Sequence, residues 1–369
     1  MYDIAVLGAT PAGYAAACYL AARRCDVAVV DAPQQPIECP LADWVPADFF
    51  RIAGLPKHLS AACGAAAFHR VAYHNARFDR TVEHRSRGPS GYFLHRAGLV
   101  KAFQTAAIKM GVKVRGADAS PTICLEEDCV HILRPVKLSA RLLIIAQNRP
   151  NDVIGELSLP VRTVPQSPLT ASALNIPLTS RAQAGRLAGV LHVVELPERS
   201  DLGMFFTVGP VVHLRVISGS PAAGTRAAEM SAMLAGLQKA GILPAELPLS
   251  KARGAVWQPP AGVALELETH VAKRCLLVGS AGGFADSITG HTLSPSVKSA
   301  ILAAEVVLAA MKADNLQETL MQYKTHWRKS LADYLRPPNT SLGMLLPLLF
   351  VNQRIVARFT RALLHGESI

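Results

Sequence analysis

The first 31 residues carry a strand, a glycine turn, a helix and a second strand, and this order constrains the fold more than any other feature. Residues 4–7 are apolar, residues 8–13 read G-A-T-P-A-G, and an Ala-rich helix is predicted to run to about Arg24. The second strand ends at Asp31. A βαβ unit with glycines at its first turn is typical of dinucleotide-binding domains. A βα turn without a ligand is the alternative.

The turn keeps two of the three glycines of the G-x-G-x-x-G signature. Gly8 and Gly13 occupy the outer positions, and Thr10 replaces the middle glycine. Because the middle glycine lets the backbone approach the pyrophosphate, a β-branched side chain there crowds the expected ligand. An acid at the end of the second strand, here Asp31, accepts hydrogen bonds from ribose hydroxyls.

The rest of the chain predicts an α/β protein with an insertion. Proline-rich residues 33–95 are predicted to be irregular, and residues 94–110 to form a helix. Between residues 150 and 260, short alternating runs around a helix at 222–240 are typical of a mostly antiparallel sheet. The remaining predicted elements are strands at 112–114, 123–133, 136–145 and 276–278, a helix at 295–313, and two or three helices in 316–369.

A second glycine-rich segment follows the predicted strand at 276–278. Residues 279–293 read G-S-A-G-G-F-A-D-S-I-T-G-H-T-L and lead to a helix predicted to begin at Pro295, with Ser294 as its N-cap. A helix N-terminus exposes unpaired N–H groups that stabilise an anion. Arg96 is a further candidate, because a cation at the start of a helix opposes the helix dipole. An exposed surface arginine is the alternative.

Four segments together resemble the FAD-dependent oxidoreductases of the para-hydroxybenzoate hydroxylase superfamily, and are most similar to their geranylgeranyl reductase branch. They are residues 8–13 with Asp31, the sequence P-I-E-C at 36–39, Arg96, and residues 279–290, which are similar to G-D-A-A-G-x-x-x-P-x-T-G. The tail, with Tyr323 and Trp327, also resembles that branch. The resemblance implies FAD as cofactor, bound by Gly8, Ala12, Gly13, Asp31, Arg96, Gly279, Ser280, Gly283, Thr289, Gly290 and His291.

The resemblance also implies a domain organisation. A Rossmann-like FAD-binding domain would comprise residues 1–150 and 260–315, with a β-rich substrate domain at 151–259 inserted between the two parts. A helical C-terminal region would follow at 316–369.

Thr10, Gln147, Ser280 and Thr292 depart from the family's pattern. The family has glycine at the first and last of these positions, and Ser280 replaces an aspartate expected near the cofactor. A serine still donates and accepts hydrogen bonds. These departures leave open a second hypothesis, in which the chain uses the fold for binding or scaffolding without a flavin.

Two residues are candidates for a catalytic role. Cys39 ends the P-I-E-C segment, and the resemblance implies a position near the flavin; a buried, inert thiol is the alternative. His291 would act as a proton donor, because its ordinary pKa lies near physiological pH; a histidine in a solvated loop is the alternative. N–H groups of residues 288–291 are expected to stabilise negative charge on the reduced flavin.

The branch resemblance implies reduction of an isoprenoid or another small apolar substrate, with NAD(P)H as a candidate electron donor. An aromatic or polyketide monooxygenase is the alternative, whereas the W-x-W-x-I-P segment of flavin halogenases is absent. The net charge of +11 favours anionic partners. Residues 342–363 pair an apolar run with Arg354, Arg358 and Arg361, which predicts either peripheral membrane contact or packing on the body of the protein.

Three further expectations follow from composition. The twelve histidines are scattered and the seven cysteines form no C-x-x-C pair, so no metal site is predicted. The basic stretch at 70–101 lacks a nucleic-acid-binding signature, so no nucleic-acid partner is predicted. No signal peptide and no uninterrupted apolar span is present, which favours a cytoplasmic location.

Overall fold

The structure is a computed structural model that describes residues 1–31, 40–117, 119, 121–134, 136–148, 167–196, 201–219, 223–337 and 340–367. Its strands are β1 (Tyr2–Leu7), β2 (Val27–Asp31), β3 (Ala42–Pro46), β4 (Ala66–Phe68), β5 (Arg70–His74), β6 (Thr81–Arg85), β7 (Gly91–His95), β8 (Lys113–Gly116), β9 (Thr122–Leu125), β10 (Val130–Arg134), β11 (Leu138–Ile145), β12 (Thr170–Pro177), β13 (Val190–Glu195), β14 (Leu202–Val208), β15 (Val211–Ser218), β16 (Arg253–Trp257), β17 (Val271–Ala272) and β18 (Cys275–Leu277). Its helices are α1 (Pro11–Ala21), α2 (Leu59–Ala62), α3 (Arg96–Lys109), α4 (Arg181–Leu187), α5 (Ala223–Lys239), α6 (Val263–Glu266), α7 (Leu293–Ala310), α8 (Leu316–Leu335), α9 (Leu342–Leu349) and α10 (Gln353–His365).

The first sheet contains the predicted dinucleotide unit. Its order is β17-β18-β11-β1-β2-β8, and β9 and β10 extend it beside β11. Strands β18, β11, β1, β2 and β8 are parallel. Ile4 and Val6 pack on the face covered by α1 and α7, whereas Ala5 and Leu7 pack on the opposite face. Burial on both faces explains why β1 is apolar from Ile4 to Leu7.

The second sheet confirms a mostly antiparallel arrangement in the middle of the chain. Its order is β16-β12-β15-β14-β13-β5-β6, and every pairing is antiparallel except that of β13 with β5. Strands β5 and β6 lie within residues 70–85, so this sheet draws on chain from before residue 150 as well as after it.

The prediction that residues 33–95 are irregular is wrong for the described part of that range. It contains β5 and β6, and also the three-stranded sheet β3-β7-β4. These strands are three to five residues long and are interrupted by prolines and basic residues. The apolar alternation within each strand is therefore too short to stand out, although Trp44 and Phe93 are fully buried.

Residues 123–133 are also not one strand as predicted. β9 and β10 form a hairpin whose turn is closed by the Glu126 N–H donating to the Cys129 carbonyl at 3.0 Å. Helix α7 begins at Leu293 with Thr292 as its N-cap, two residues earlier than the predicted cap at Ser294. The predicted helical tail is confirmed as α8, α9 and α10.

Helix α8 packs on α7 through the buried side chains of Tyr323 and Trp327. Helices α9 and α10 cover part of the second and third sheets, in the cluster that contains Trp44 and Phe206. Among the described residues, α7 is the one helix with the length and apolar composition to cross a membrane, and 72% of it is buried in the fold.

Candidate functional site

The two glycine-rich segments, distant in sequence, are in contact. A Cβ at Gly279 would lie 2.9 Å from the Cβ of Ala12, and Gly279 has a φ of +60°. The Gly279 N–H donates to Ser299 Oγ at 3.0 Å, which ties this turn to α7. The start of α1 and the turn after β18 therefore form one continuous surface at the carboxyl ends of the parallel strands, where ligands bind in open α/β sheets.

Gly8 and Gly13 lie so close to neighbouring backbone atoms that neither position has room for a side chain. A Cβ at Gly8 would lie 2.9 Å from backbone atoms of Ala146 and Gln147, and one at Gly13 would lie 2.1 Å from the Gly8 carbonyl oxygen. Gly8 also has a φ of +113°, which favours glycine. These two glycines let β1 turn directly into α1 beside the end of β11.

Thr10 acts as the N-cap of α1. Its Oγ1 accepts a hydrogen bond from the Gly13 N–H at 3.1 Å and donates one to the Ala146 carbonyl at 2.8 Å. The side chain is therefore turned into the protein, and Thr10 is 6% exposed. Because the Gly13 N–H is used and Pro11 has none, the start of α1 offers fewer N–H groups to an anion than the intact signature does.

A cleft of about 580 Å³ opens in front of this surface. It has the size of a small-molecule site. Its wall combines apolar side chains with two cations, Arg96 and Lys101. The residues that line it are Ala9, Thr10, Pro11, Pro40, Arg96, Ala97, Val100, Lys101, Gln104, Asn148, Trp257, Gln258, Pro259, Pro260, Ser280 and Thr292.

Arg96 is held at the cleft by two side chains. Its Nη1 donates to Asp43 Oδ2 at 2.9 Å, and its Nη2 donates to Thr292 Oγ1 at 3.0 Å. The other Asp43 oxygen accepts from Arg215 Nη1 at 2.9 Å, and Arg215 also donates to the Ala42 carbonyl. Two arginines thus share one carboxylate, which leaves a net positive charge beside the cleft.

Asp43 is 2% exposed. Burial on its own raises the pKa of this carboxyl, but Arg215, a hydrogen bond to His291, and Arg96 outweigh the burial and hold the pKa far below its ordinary value. Asp43 is therefore ionised in the folded protein, and it fixes both guanidinium groups.

His291 is buried rather than open to the cleft. Its ring stacks on Trp44 with centroids 4.3 Å apart, and its Nε2 accepts from the Ser294 N–H at 3.2 Å. The proton is accordingly assigned to Nδ1, which lies 3.8 Å from Asp43 Oδ1. The ring contacts Asp43 and is not among the residues that line the cleft.

The N–H groups of residues 288–291 all donate to Asp286, so they are not free to stabilise negative charge on a flavin as the sequence predicted. Asp286 Oδ1 accepts from the Ile288 and Thr289 N–H groups at 2.8 and 2.9 Å. Asp286 Oδ2 accepts from the His291 N–H at 2.8 Å and from Thr289 Oγ1. The carboxylate of Asp286, which sequence reasoning passed over, thus organises this loop internally.

The remaining predicted residues divide into four groups. Ser280 lines the cleft. Gly283 and Gly290 shape the loop, with φ of +77° and +64° and with Ala264 and Pro259 close to where a Cβ would lie. Asp31 is exposed at the end of β2, next to Val30, whose carbonyl accepts from the Gly8 N–H at 2.9 Å. Cys39 lies outside the described residues.

These features fit a bound dinucleotide such as FAD. Close backbone approach at Gly8, Gly13 and Gly279 brings the turns after β1, β11 and β18 together. Asp31 offers an exposed carboxylate of the kind that binds the ribose of an adenosine group. The positive charges of Arg96 and Lys101 complement a diphosphate. The cap at Thr10 and the proline that follows weaken the helix N-terminus as an anion site without filling the cleft.

No protein-family model and no curated protein matches the sequence. Solved structures match over nearly the full length. A geranylgeranyl bacteriochlorophyll reductase-like protein from Thermoplasma acidophilum has a TM-score of 0.73 at 14% identity, over 99% of this chain and 97% of that one. The p-nitrophenol 4-monooxygenase of Pseudomonas putida has a TM-score of 0.71 at 15% identity, over 98% and 94%.

The protein CtdE, solved in complex with FAD and a substrate, has a TM-score of 0.67 at 14% identity, over 98% of this chain and 90% of that one. At these identities the likeness establishes the fold. The chain therefore has the α/β fold of the FAD-dependent reductases and monooxygenases, as the sequence resemblance predicted.

Proposed function

We propose that the protein is an FAD-dependent oxidoreductase that acts on a small apolar substrate. The observation that carries the proposal is the contact between Ala12 and Gly279, which joins the two predicted nucleotide-binding segments at one cleft. The shared fold with FAD-dependent enzymes supports it. Bound FAD would supply the redox chemistry for transfer of a hydride or of an oxygen atom to the substrate.

The chain's own residues would bind and orient the cofactor. Asp31 would accept from ribose hydroxyls, and Arg96 with Lys101 would neutralise the diphosphate. Ser280 would donate to a hydroxyl at the position where the family places an aspartate. Asp43 holds Arg96 in place and His291 contacts Asp43, but neither of these two residues lines the cleft.

The cleft also favours an apolar substrate. Val100, Trp257, Pro259 and Pro260 contribute apolar surface to its wall. These apolar side chains would exclude water and contact an apolar substrate, while the polar side chains of the same cleft would bind the cofactor. We propose reduction of an isoprenoid double bond, with NAD(P)H as electron donor, and an aromatic or polyketide monooxygenase reaction as the second candidate.

Product mass separates the two reactions. Purified protein with FAD and NADPH is incubated with a geranylgeranyl substrate or with a set of phenols, each with and without oxygen. A reductase adds two hydrogens to the isoprenoid and works without oxygen, whereas a monooxygenase adds one oxygen atom and needs it. No NADPH-dependent product with either class would contradict both reactions, and Arg96→Ala serves as the low-activity control.

A role without flavin remains the rival hypothesis, motivated by Thr10, Pro11 and Ser280. It predicts that the purified protein binds no FAD at micromolar concentrations. Saturable quenching of FAD fluorescence by wild type, weakened at least about 10-fold in Arg96→Ala by loss of a charge-assisted contact, would exclude it.

We also propose a cytoplasmic protein that contacts an anionic lipid surface through its C-terminal helices. Leu345, Leu346 and Leu349 of α9 are buried, whereas Met344 and Leu348 of the same helix are 68% and 45% exposed. The exposed residues Arg354, Arg358 and Arg361 follow on α10. This combination of apolar and basic groups is typical of interfacial helices.

Co-sedimentation with phosphatidylserine vesicles tests the contact. The double variant Met344→Glu, Leu348→Glu is expected to lose binding, while Ile108→Glu, at an exposed apolar residue on α3, is expected to keep it. Equal sedimentation of all three proteins would remove the membrane proposal and leave the flavin proposal untouched.

A further inference from the structure

The β9–β10 hairpin brings together three side chains of different chemistry. The Cys129 Sγ lies 3.2 Å from His131 Nε2, and Glu126 Oε1 lies 3.3 Å from the same nitrogen. Cys129 Sγ and Glu126 Oε2 are 3.8 Å apart. One donor atom from each residue lies within 4.8 Å of the others, an arrangement found once among the described residues.

These separations are within about 0.1 Å of those between the ligands of a tetrahedral zinc ion. Zinc binds nitrogen and oxygen at about 2.0–2.2 Å and sulfur at about 2.3 Å, so neighbouring ligand atoms lie about 3.3–3.8 Å apart. Thiolate, imidazole and carboxylate are also the three ligand types that zinc uses in proteins. A thiolate and a carboxylate together balance the two positive charges of the ion.

The histidine ring is already oriented for this role. His131 Nδ1 lies 2.7 Å from Ser139 Oγ on the neighbouring strand β11, directly opposite in the antiparallel register. A hydrogen bond at the second ring nitrogen fixes the tautomer and the ring direction of a metal-binding histidine. The turn itself is held by the Glu126 N–H and by Arg274, whose Nε donates to the Glu127 carbonyl at 2.6 Å.

We propose that Glu126, Cys129 and His131 bind one Zn²⁺ ion, with a water molecule as the fourth ligand. The sequence predicted no metal site because the cysteines and histidines are scattered along the chain, and the hairpin turn is what brings these three together. Ser139 lies near the start of β11, whereas the cleft lies past its end, about 20 Å along the strand. The ion would therefore stabilise the hairpin and take no part in the flavin site.

Metal content and metal affinity of the full chain test the proposal. The chelator-treated protein is titrated with Zn²⁺ by calorimetry and with Co²⁺ by difference absorbance, in which a cysteine ligand gives thiolate-to-cobalt charge transfer. Wild type is expected to bind one ion per chain with micromolar or tighter affinity and to show that band. Ser139→Ala is expected to weaken binding about 10-fold by freeing the ring.

Matched variants identify the ligands. Cys129→Ser and His131→Ala are expected to weaken zinc binding at least about 100-fold, and Glu126→Gln about 10-fold, because each removes a direct ligand. Glu127→Gln and Cys25→Ser change the same residue types outside the cluster and are expected to bind as wild type. Wild-type protein without stoichiometric zinc binding, or an unchanged affinity in Cys129→Ser, would overturn the proposal.

Discussion

Asp43 and Arg215 form a buried ion pair, with 2.9 Å between Oδ1 and Nη1, that joins the three-stranded sheet to the seven-stranded sheet. The second oxygen of Asp43 binds Arg96 at the start of α3, also at 2.9 Å. One carboxylate therefore connects both β sheets to the helix whose side chains line the cleft. A change at Asp43 is therefore expected to affect both the packing of the two sheets and the position of Arg96.

Asp43→Asn is expected to lower the free energy of unfolding by about 3 kcal/mol, because the buried guanidinium group of Arg215 and the partly buried one of Arg96 lose their counter-charge. The measurement is the urea midpoint at neutral pH. Asp314→Asn, at an exposed carboxylate before α8, is the control and is expected to change stability by less than about 0.5 kcal/mol. Equal midpoints for the two variants would contradict the role of Asp43.

Gly279→Ala is expected to destabilise the protein and to empty the cleft of flavin, because its Cβ would lie 2.9 Å from that of Ala12. Gly209→Ala is a matched control: its φ of +58° resembles the +60° of Gly279, but nothing lies within 4 Å of its Cβ. Gly209→Ala is expected to lose about 1 kcal/mol of stability, because only the left-handed backbone conformation opposes the alanine there. Gly279→Ala is expected to lose about 1–3 kcal/mol more, the cost of overpacking, because its Cβ collides with Ala12. Identical thermal midpoints and FAD contents in the two variants would argue against the contact.

Thr10→Gly is expected to lower the stability of the protein and at the same time to strengthen FAD binding. Loss of the cap and of the hydrogen bond to the Ala146 carbonyl lowers stability by about 1 kcal/mol, while the freed Gly13 N–H strengthens FAD binding. Thr10→Ser keeps the hydroxyl and is expected to resemble wild type in both measurements. FAD affinity is measured by fluorescence titration, and weaker binding in Thr10→Gly than in Thr10→Ser would contradict this account of the turn.

Stability is expected to fall between pH 6.5 and pH 4. Burial lowers the pKa of His74 and of His270 to about 4, and burial together with the neighbouring His74 lowers the pKa of His192 well below its ordinary value. The unfolded chain binds protons at these residues below about pH 6.5, whereas the folded chain does not, so acid favours unfolding. The stabilising effect is fully present above pH 6.5 and declines as the pH falls through this window.

Urea midpoints measured between pH 7.5 and pH 4.5 check this dependence. His74→Gln is expected to have a shallower decline than wild type, because one buried imidazole is removed. His69→Gln changes an exposed histidine and is expected to follow the wild-type profile. A flat wild-type profile would show that the histidines are not held neutral by burial.

The first sheet could be predicted from the sequence, whereas the three-stranded sheet that contains Asp43 could not. The second half of β11, residues 142–145, is buried on both faces and so carries the apolar run that identifies the strand. β3 is five residues long, ends in proline and contains Asp43. Its charge is compensated by Arg96 and Arg215, which are far away in the chain, so only the tertiary structure explains a buried aspartate there.

The candidate site was predicted in position and misjudged in detail. Thr10 stood out as a lost glycine, although a threonine followed by proline is also the signature of a helix N-cap, which is its role here. His291 stood out as a loop histidine, but the stacking on Trp44 and the contact with Asp43 bury it. Asp286 could have been noticed from its position, since aspartates often bind backbone N–H groups two or three residues ahead.

The visible absorption spectrum of the purified, full-length protein tests the central claim most directly. If the segments around Ala12 and Gly279 form one FAD site, the protein is yellow, or becomes yellow after FAD is added and excess is removed, and holds one flavin per chain. The Gly209→Ala variant would match it, and Gly279→Ala would not. A protein that stays colourless after incubation with FAD would contradict the assignment as a flavoenzyme.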